Sequence, residues 1–582
     1  MTFAPFALPL GFSSQLRAAP TQPDLSTRAE LSLWMETGRY EEVERLCPAF
    51  AKAYPSKVRC FQFGTTPEGR PMLAMAVGEA KYLTASPTKS EQRPVVLFQG
   101  GIHAGEIDGK DAGFWLIRDI LNGKTLPNVL RKVTLVFVPV FNVDGHERFG
   151  ANNRPNQIGP KEMGWRVTAQ NFNLNRDYLK TDAPETRAMI KLLKEWDPIL
   201  YVDLHVTDGA KFQHDIALMI EPSLSGPKTL RDETAGLRAG ALKDLQKAGN
   251  LPLSTYPSFI KDDEPQSGIA ASPASVRFSN GYWALSNRIA VLVETHSWRP
   301  YAHRVKSTYE AMKSLIYHAA ESGVAWRKAA HIAEEESKRL PGTIFPLAYK
   351  NTTKSETIDF LGYAYTRTKS NVSGQLMTRY DASKPEVWHI PFFPDVEPKL
   401  SAAVPRSYMI PAAYRGLYEE RLKLHGILFE VLPKNWEGKG KAFHIKVTGQ
   451  PKIPVNESHQ RFGYDGTWES IDAKVLAGSL KVDMNQSQAK LAMFLLDPAS
   501  PDSLLAWGYM NQIFERKEYM EPYVAEEVAE AMLKDPQIKA EFDERLKDPE
   551  FAKDPDKRLD FFAAKHPSFD QLYMVYPVLK MD

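Results

Sequence analysis

Cysteine is nearly missing from this chain. Two in 582 residues, Cys47 and Cys60, exclude a disulfide framework, and neither belongs to a Cys-x-x-Cys pair; one bridge between them is open but not deducible. No apolar run reaches the ~18 residues of a membrane-spanning helix, which excludes a helical span. No sign of charge dominates either. Lys and Arg total 73 against 71 Asp and Glu, a net charge of +2, so there is no field to gather nucleic acid or an anionic membrane. Low-complexity tracts and solenoid repeats are absent too. What is there is globular: at 43% hydrophobic and 25% charged residues, the length predicts two to four domains of about 100 to 200 residues each. The apolar stretch 3–12, with Arg17-Ala18-Ala19 after it, faintly resembles an export signal, although no Lys or Arg precedes it and Pro5, Pro9 and Pro20 break its pattern. A periplasmic or secreted location is expected over a cytoplasmic one.

Residues 27–54 carry helical spacing (Leu31, Trp34, Val43, Leu46, Phe50), punctuated by Gly38. Residues 58–63 and 71–77 flank the turn Thr65–Arg70 as an antiparallel hairpin. Continuous apolar runs at 95–98, 133–140, 199–204 and 289–293 then alternate with helical stretches at 113–121 and 186–196. Strands apolar on both faces predict an α/β fold with a mixed, mainly parallel sheet flanked by helices. A helix over 308–339 closes this part. From 343 to 482 the chain turns rich in Tyr, Thr, Val and Pro with period-two patches and reads as β-rich, and the aromatic stretch 388–393 reads as a core strand. The remainder reads as a helical tail, with helices over 504–518 and 524–533 and three Lys-Asp-Pro triplets beginning at Lys534, Lys547 and Lys553, each placing Asp at an N-cap before Pro. The expected organisation is an extension over 1–26, a catalytic domain over 27–340, a β-rich accessory domain over 341–482 and a helical region over 483–582.

The chemistry gathers at strand ends, where such sheets bind ligands. The run ending at Phe98 is followed by Gly100-Gly101 and then by His103-Ala104-Gly105-Glu106, a glycine turn that delivers an imidazole and a carboxylate three residues apart. Alone, His-x-x-Glu is a weak signal that also reads as a capped turn. Yet His205 follows the run at 199–204 and Glu294 the run at 289–293. Two His and one Glu suit a catalytic zinc with one coordination position left for water, and the fourth group, an acid, suits a base. The expectation is a zinc-dependent peptidase holding one Zn²⁺.

The segment Val-Thr-Ala-Gln-Asn-Phe-Asn-Leu-Asn-Arg-Asp-Tyr over 167–178 closely resembles the M14 family of zinc carboxypeptidases, as does the order of motifs: His-x-x-Glu, Asn-Leu-Asn-Arg, a distal His, then a Glu. The resemblance extends from the helix and hairpin at 39–71 to near Ser322. It implies His103, Glu106 and His205 as zinc ligands, Glu294 as general base, Arg166 as the cation facing the oxyanion with Arg154 competing for that role, and Asn175 and Arg176 as the grip on a substrate's terminal carboxylate. Tyr282 is named as the tyrosine that contacts substrate, with Tyr256 as the other choice. The chain departs from the family at Asn173, where many members have Asp orienting a zinc histidine. Arg277 is weighed as a pocket residue, with a salt-bridged arginine as the plainer reading. His146, His214 and His296 are read as neighbours of the site, not ligands.

The function so implied is a metallocarboxypeptidase hydrolysing the C-terminal bond of peptides with a free C-terminus. Two alternatives stay open: an M14-like zinc amidohydrolase on cell-wall peptides or another amide, and a binding protein with a vestigial catalytic fold.

Overall fold

A computed structural model describes residues 24–582; the stretch read for export lies outside the described residues. Strands β1 (Val58–Thr65), β2 (Pro71–Val77), β3 (Val95–Gly100), β4 (Thr134–Val138), β5 (Leu200–Thr207), β6 (Ile216–Glu221), β7 (Pro252–Leu253), β8 (Ile269–Ala270) and β9 (Ile289–His296) belong to the first part of the chain. All but β8 form one sheet in the order β1-β2-β4-β3-β5-β9-β6-β7. Its centre, β4-β3-β5-β9, is parallel, whereas β2 and β6 join antiparallel, so the sheet is mixed and mainly parallel. The parallel strands are buried on both faces, every residue of β3, β4 and β5 included, which is why they read as continuous apolar runs. Helices Tyr40–Ala53, Asp108–Leu121, Pro184–Trp196 and the long Tyr301–Ser337 flank it. Cys47 and Cys60 are joined as a disulfide, tying the first of these helices to β1.

The region beyond is β-rich, as its composition predicts: β10 (Ile344–Asn351), β11 (Glu356–Lys369), β12 (Leu376–Phe393), β13 (Val396–Ala403), β14 (Ser407–Ile410), β15 (Glu430–Val431), β16 (Trp436–Gly449), β17 (Gly463–Val475) and β18 (Leu480–Asp483). The β11–β12 hairpin packs Phe360, Trp388 and Ile390 against Phe212 and Ile269, and β12 pairs with β8; the aromatic stretch is core, as expected. Helix Arg415–His425 crosses back to the first part, where His425 meets Tyr282 and Leu179.

The tail keeps its three Asp-Pro starts: Asp535, Asp548 and Asp554 cap helices with Pro536, Pro549 and Pro555 in the first turn. Two expectations are corrected. Residues 504–518 are turns and a short 3₁₀ segment, Asn511–Phe514; burial there is unbroken over 502–507 and does not follow a helical stripe. The helix lies earlier, at Ala489–Leu496. The tail also ends in a strand, β19 (Val575–Met581), which sits between β14 and β16 in the sheet β15-β18-β14-β19-β16-β17. The end of the helical region therefore completes the β-rich one.

Candidate active site

The site stands at the carboxyl ends of β3, β5 and β9. Gly101 takes a φ of +61°, a left-handed conformation that glycine adopts without a Cβ penalty, and turns the chain off β3. Glu106 N–H then donates to His103 O at 2.8 Å, closing the turn so that imidazole and carboxylate face one another: His103 Nδ1 lies 3.1 Å from Glu106 Oε1. Parallel pairing brings the rest. His205 stands opposite Glu294 in the β5–β9 register, and His205 Nδ1 lies 3.0 Å from Glu106 Oε2. Donor atoms of His103, Glu106 and His205 lie within 4.8 Å of one another, and all three residues are buried.

Both imidazoles turn Nδ1 inward and are held at Nε2 from outside. His103 Nε2 is 3.2 Å from Asn173 Oδ1, so the amide at the departure position accepts the imidazole proton. His205 Nε2 is 2.9 Å from Asp203 Oδ2. Asp203 was not singled out from the sequence, although its place two residues before His205, on the same face of the strand, was a signal. It is itself held by Gln99 Nε2 at 2.9 Å and by the Ser279 hydroxyl, and Ser279 N–H donates to Asn175 Oδ1 at 3.0 Å. A line of polar contacts thus runs from His205 through Asp203 to the Asn-Leu-Asn-Arg segment, hydrogen-bonded from Asp203 through Ser279 to Asn175. The donor set fits zinc: two neutral-capable imidazole nitrogens and a carboxylate, outer partners that fix the tautomers, and a buried His103 Nδ1 with no hydrogen-bond partner of its own.

The electrostatics fit a cation as well. Burial pushes the Glu106 carboxyl up, but Arg154 and the two imidazoles outweigh it and hold Glu106 well below the usual range. Burial pulls His205 down, yet Asp203 and Glu106 overcome it and keep His205 well above its ordinary value: the cluster takes a proton where it can take a metal ion. Glu294, 6% exposed, is raised to about 8, first by burial and then by the charges of Glu106, Asp203 and Asp208, against His205. Its Oε2 is buried without a partner.

Both arginines weighed for the oxyanion role reach Glu106 Oε1, Arg154 Nη1 at 2.9 Å and Arg166 Nη1 at 3.3 Å. They differ in freedom. The Arg154 side chain is 9% exposed and also approaches Gln157 and the Val206 carbonyl; Arg166 is 37% exposed with Glu106 as its acidic neighbour. Arg176 stacks on Phe278 at 4.5 Å and donates from Nη1 to its own Asn175 carbonyl at 2.8 Å. Arg277 is paired with buried Asp502 at 2.8 Å, the salt-bridged reading.

Tyr282 is corrected. It is fully buried, its ring packed on Tyr178, Trp283 and His425, with the hydroxyl on His425 Nδ1 at 2.9 Å, because its position in helix Ser279–Leu285 faces the core. Tyr256 faces the site instead: Thr207 Oγ1 donates to its hydroxyl at 3.2 Å, and burial with the nearby Glu294 charge raises its phenol. His146 is buried beside Glu147, His296 stacks on Phe212 at 3.8 Å, and His214 contacts Leu251 O and Leu361 N; none joins the cluster.

Residues 43–215 match the zinc carboxypeptidase model of peptidase family M14. The chain is 23% identical over 479 residues to carboxypeptidase 2 of Trichophyton tonsurans, covering 76% of this chain and 78% of that protein. Over a shorter span, 123 residues, it is 28% identical to an inactive metallocarboxypeptidase of Saccharomyces cerevisiae, covering 19% of this chain and 27% of that one. Carboxypeptidase A of Helicoverpa armigera superposes with a TM-score of 0.37 at 15% identity, covering 49% and 74% of the two chains.

Proposed function

From the premise that this chain belongs with the M14 metallocarboxypeptidase-like hydrolases, we propose that it removes C-terminal residues from peptides with a free C-terminus, using one zinc ion held by His103, Glu106 and His205. The observation that carries this reading is the convergence of those three donors, with Glu294 one strand over in register. Bound there, zinc supplies Lewis acidity toward the scissile carbonyl and lowers the pKa of water to near ~7. Glu294 takes the proton of the attacking water and returns it to the leaving amine, a role suited to a desolvated carboxylate whose pKa stands near the working pH. Arg166 faces the oxygen that becomes negative, where a fixed cation acts on the transition state more than on the ground state. Asn175 and Arg176 hold the terminal carboxylate, the guanidinium offering two parallel donors, and Tyr256 closes over the bound substrate. Residues 27–340 form the catalytic unit and the rest shapes access to it. The Cys47–Cys60 bridge supports an oxidising compartment, periplasmic or extracellular.

The test is elemental analysis of the purified protein and release of free amino acids from N-blocked dipeptides, with and without chelator. One zinc per chain and release that chelator abolishes and zinc restores are expected; a zinc-free or inert protein overturns the reading and favours a vestigial fold. Arg176→Ala should harm substrates with a free carboxylate far more than amidated ones, and equal loss on both favours the amidohydrolase alternative.

A further inference from the structure

Resting on the reading of Arg176 as the carboxylate grip, we infer that Glu457, on a loop between β16 and β17, is a positioning residue for that grip. Glu457 Oε1 lies 3.8 Å from Arg176 Nε. Arg176 is thereby constrained from three sides: Phe278 under its face at 4.5 Å, its own Asn175 carbonyl at Nη1, and the Glu457 carboxylate at the Nε edge. The second N–H of Nη1 and those of Nη2 are left as the outer fork for an incoming carboxylate. Among the described residues, Arg176 is the one cation within 4 Å of Glu457.

The loop is built to hold this carboxylate in place. Asn456 and His459 exchange backbone hydrogen bonds at 2.7 and 3.0 Å, forming a tight turn with Glu457 and Ser458 at its tip. Both take left-handed conformations, φ +47° and +72°, which for non-glycine residues cost of order 1 kcal/mol each and persist where the surroundings enforce them. The surroundings are specific. His459 Nε2 donates to Asp182 Oδ2 at 2.7 Å, and its ring packs on Tyr509 at 4.5 Å. Arg461 lies on Trp507 at 4.2 Å and donates to the Ala506 and Pro501 carbonyls. Asp182, six residues past the Asn-Leu-Asn-Arg segment, also takes Lys180, Arg421 and Tyr509. A strained turn from outside the 43–215 match is pinned beside the carboxylate-binding segment, by Asp182 within that match and by Pro501, Ala506, Trp507 and Tyr509 beyond it, so the β-rich region completes a site that its sequence gives no sign of sharing.

The experiment compares binding of an N-acetyl dipeptide and of its C-terminal amide by calorimetry, together with KM and kcat on an N-blocked dipeptide, in the full chain and three variants. Glu457→Asn tolerates the left-handed backbone but removes the charge; Glu457→Gly also relieves the strain; Glu457→Asp restores a carboxylate. Expected are an about fivefold loss of the acid-over-amide preference and an equal rise in KM, with kcat unchanged, in Asn and Gly, partial recovery in Asp, and a melting temperature in Gly no lower than in the parent. An unchanged preference, or tighter acid binding because Glu457 was competing with substrate, overturns the inference, as does a parallel fall in kcat. A parent protein that prefers the acid but hydrolyses nothing overturns the hydrolase reading and leaves this one standing; a parent without the preference overturns the assignment of Arg176 and this inference with it.

Discussion

Glu294 carries the residue-scale argument. A carboxyl raised to about 8 by burial and by Glu106, Asp203 and Asp208 is a base only when deprotonated, and the proposed zinc beside it would add positive charge that draws it down. The acid limb of the kcat/KM profile is therefore expected below pH 8, activity falling as pH drops. Glu294→Gln keeps the shape but cannot take a proton, so turnover should fall about a thousandfold or more while elemental analysis still finds zinc; retained turnover removes Glu294 as the base. The two tyrosines separate in the same way. Tyr256→Phe should raise KM or lower kcat severalfold, whereas Tyr282→Phe should leave both unchanged and lower the melting temperature, since it deletes a buried hydrogen bond worth about 1 kcal/mol. The convergence of His103, Glu106 and His205, with Glu294 in register beside His205, was legible in the sequence because the strands that deliver these residues are continuous apolar runs. Tyr282 was not, because spacing from Glu294 says nothing about which face of helix Ser279–Leu285 a tyrosine takes.

At the scale of elements the same contrast holds. β3, β4, β5 and β9 announce themselves through two-sided burial, and the Asp-Pro starts through cap chemistry that requires those residues at those positions. β19 did not, since Val575–Met581 includes a proline, Pro577, and pairs with strands more than a hundred residues away. The Cys47–Cys60 bridge is intermediate: the pair was visible, but its closure needed helix Tyr40–Ala53 to lie on β1, which brings the two Cα atoms to 5.4 Å. It ties helix to strand across a separation of 13 residues, and a loop of this size is worth about 3 kcal/mol in the chain-entropy account. Thermal melts with and without reductant should show a lower transition in the reduced protein, and Cys47→Ala/Cys60→Ala should match it; coincident melts would deny the bridge a stabilising role.

For the whole molecule, the question is what fastens the β-rich region to the catalytic sheet, and His425 is where it can be measured. Its Nε2 donates to Leu179 O at 2.9 Å while Nδ1 accepts from the Tyr282 hydroxyl, also at 2.9 Å, an arrangement only the neutral ring satisfies. Burial, with Lys194 and Arg421 adding to it, lowers His425 from 6.5 to about 3. Between those values the unfolded chain binds a proton that the folded one refuses. The contribution is therefore whole above pH 6.5 and is lost as pH falls toward 3; by pH 5 the loss is about 2 kcal/mol, at 1.4 kcal/mol per unit. His214 and His296, lowered by burial to about 4 and about 3, act in the same direction where the first part meets the β11–β12 hairpin, at Leu361 and through Phe212 at Phe360, so acidification should loosen the seating of the β-rich region. Glutamine can supply one acceptor and one donor without titrating. In His425→Gln the fall in melting temperature between pH 7.5 and pH 5 should shrink relative to the parent, and an identical fall in both proteins would move the acid sensitivity to another group.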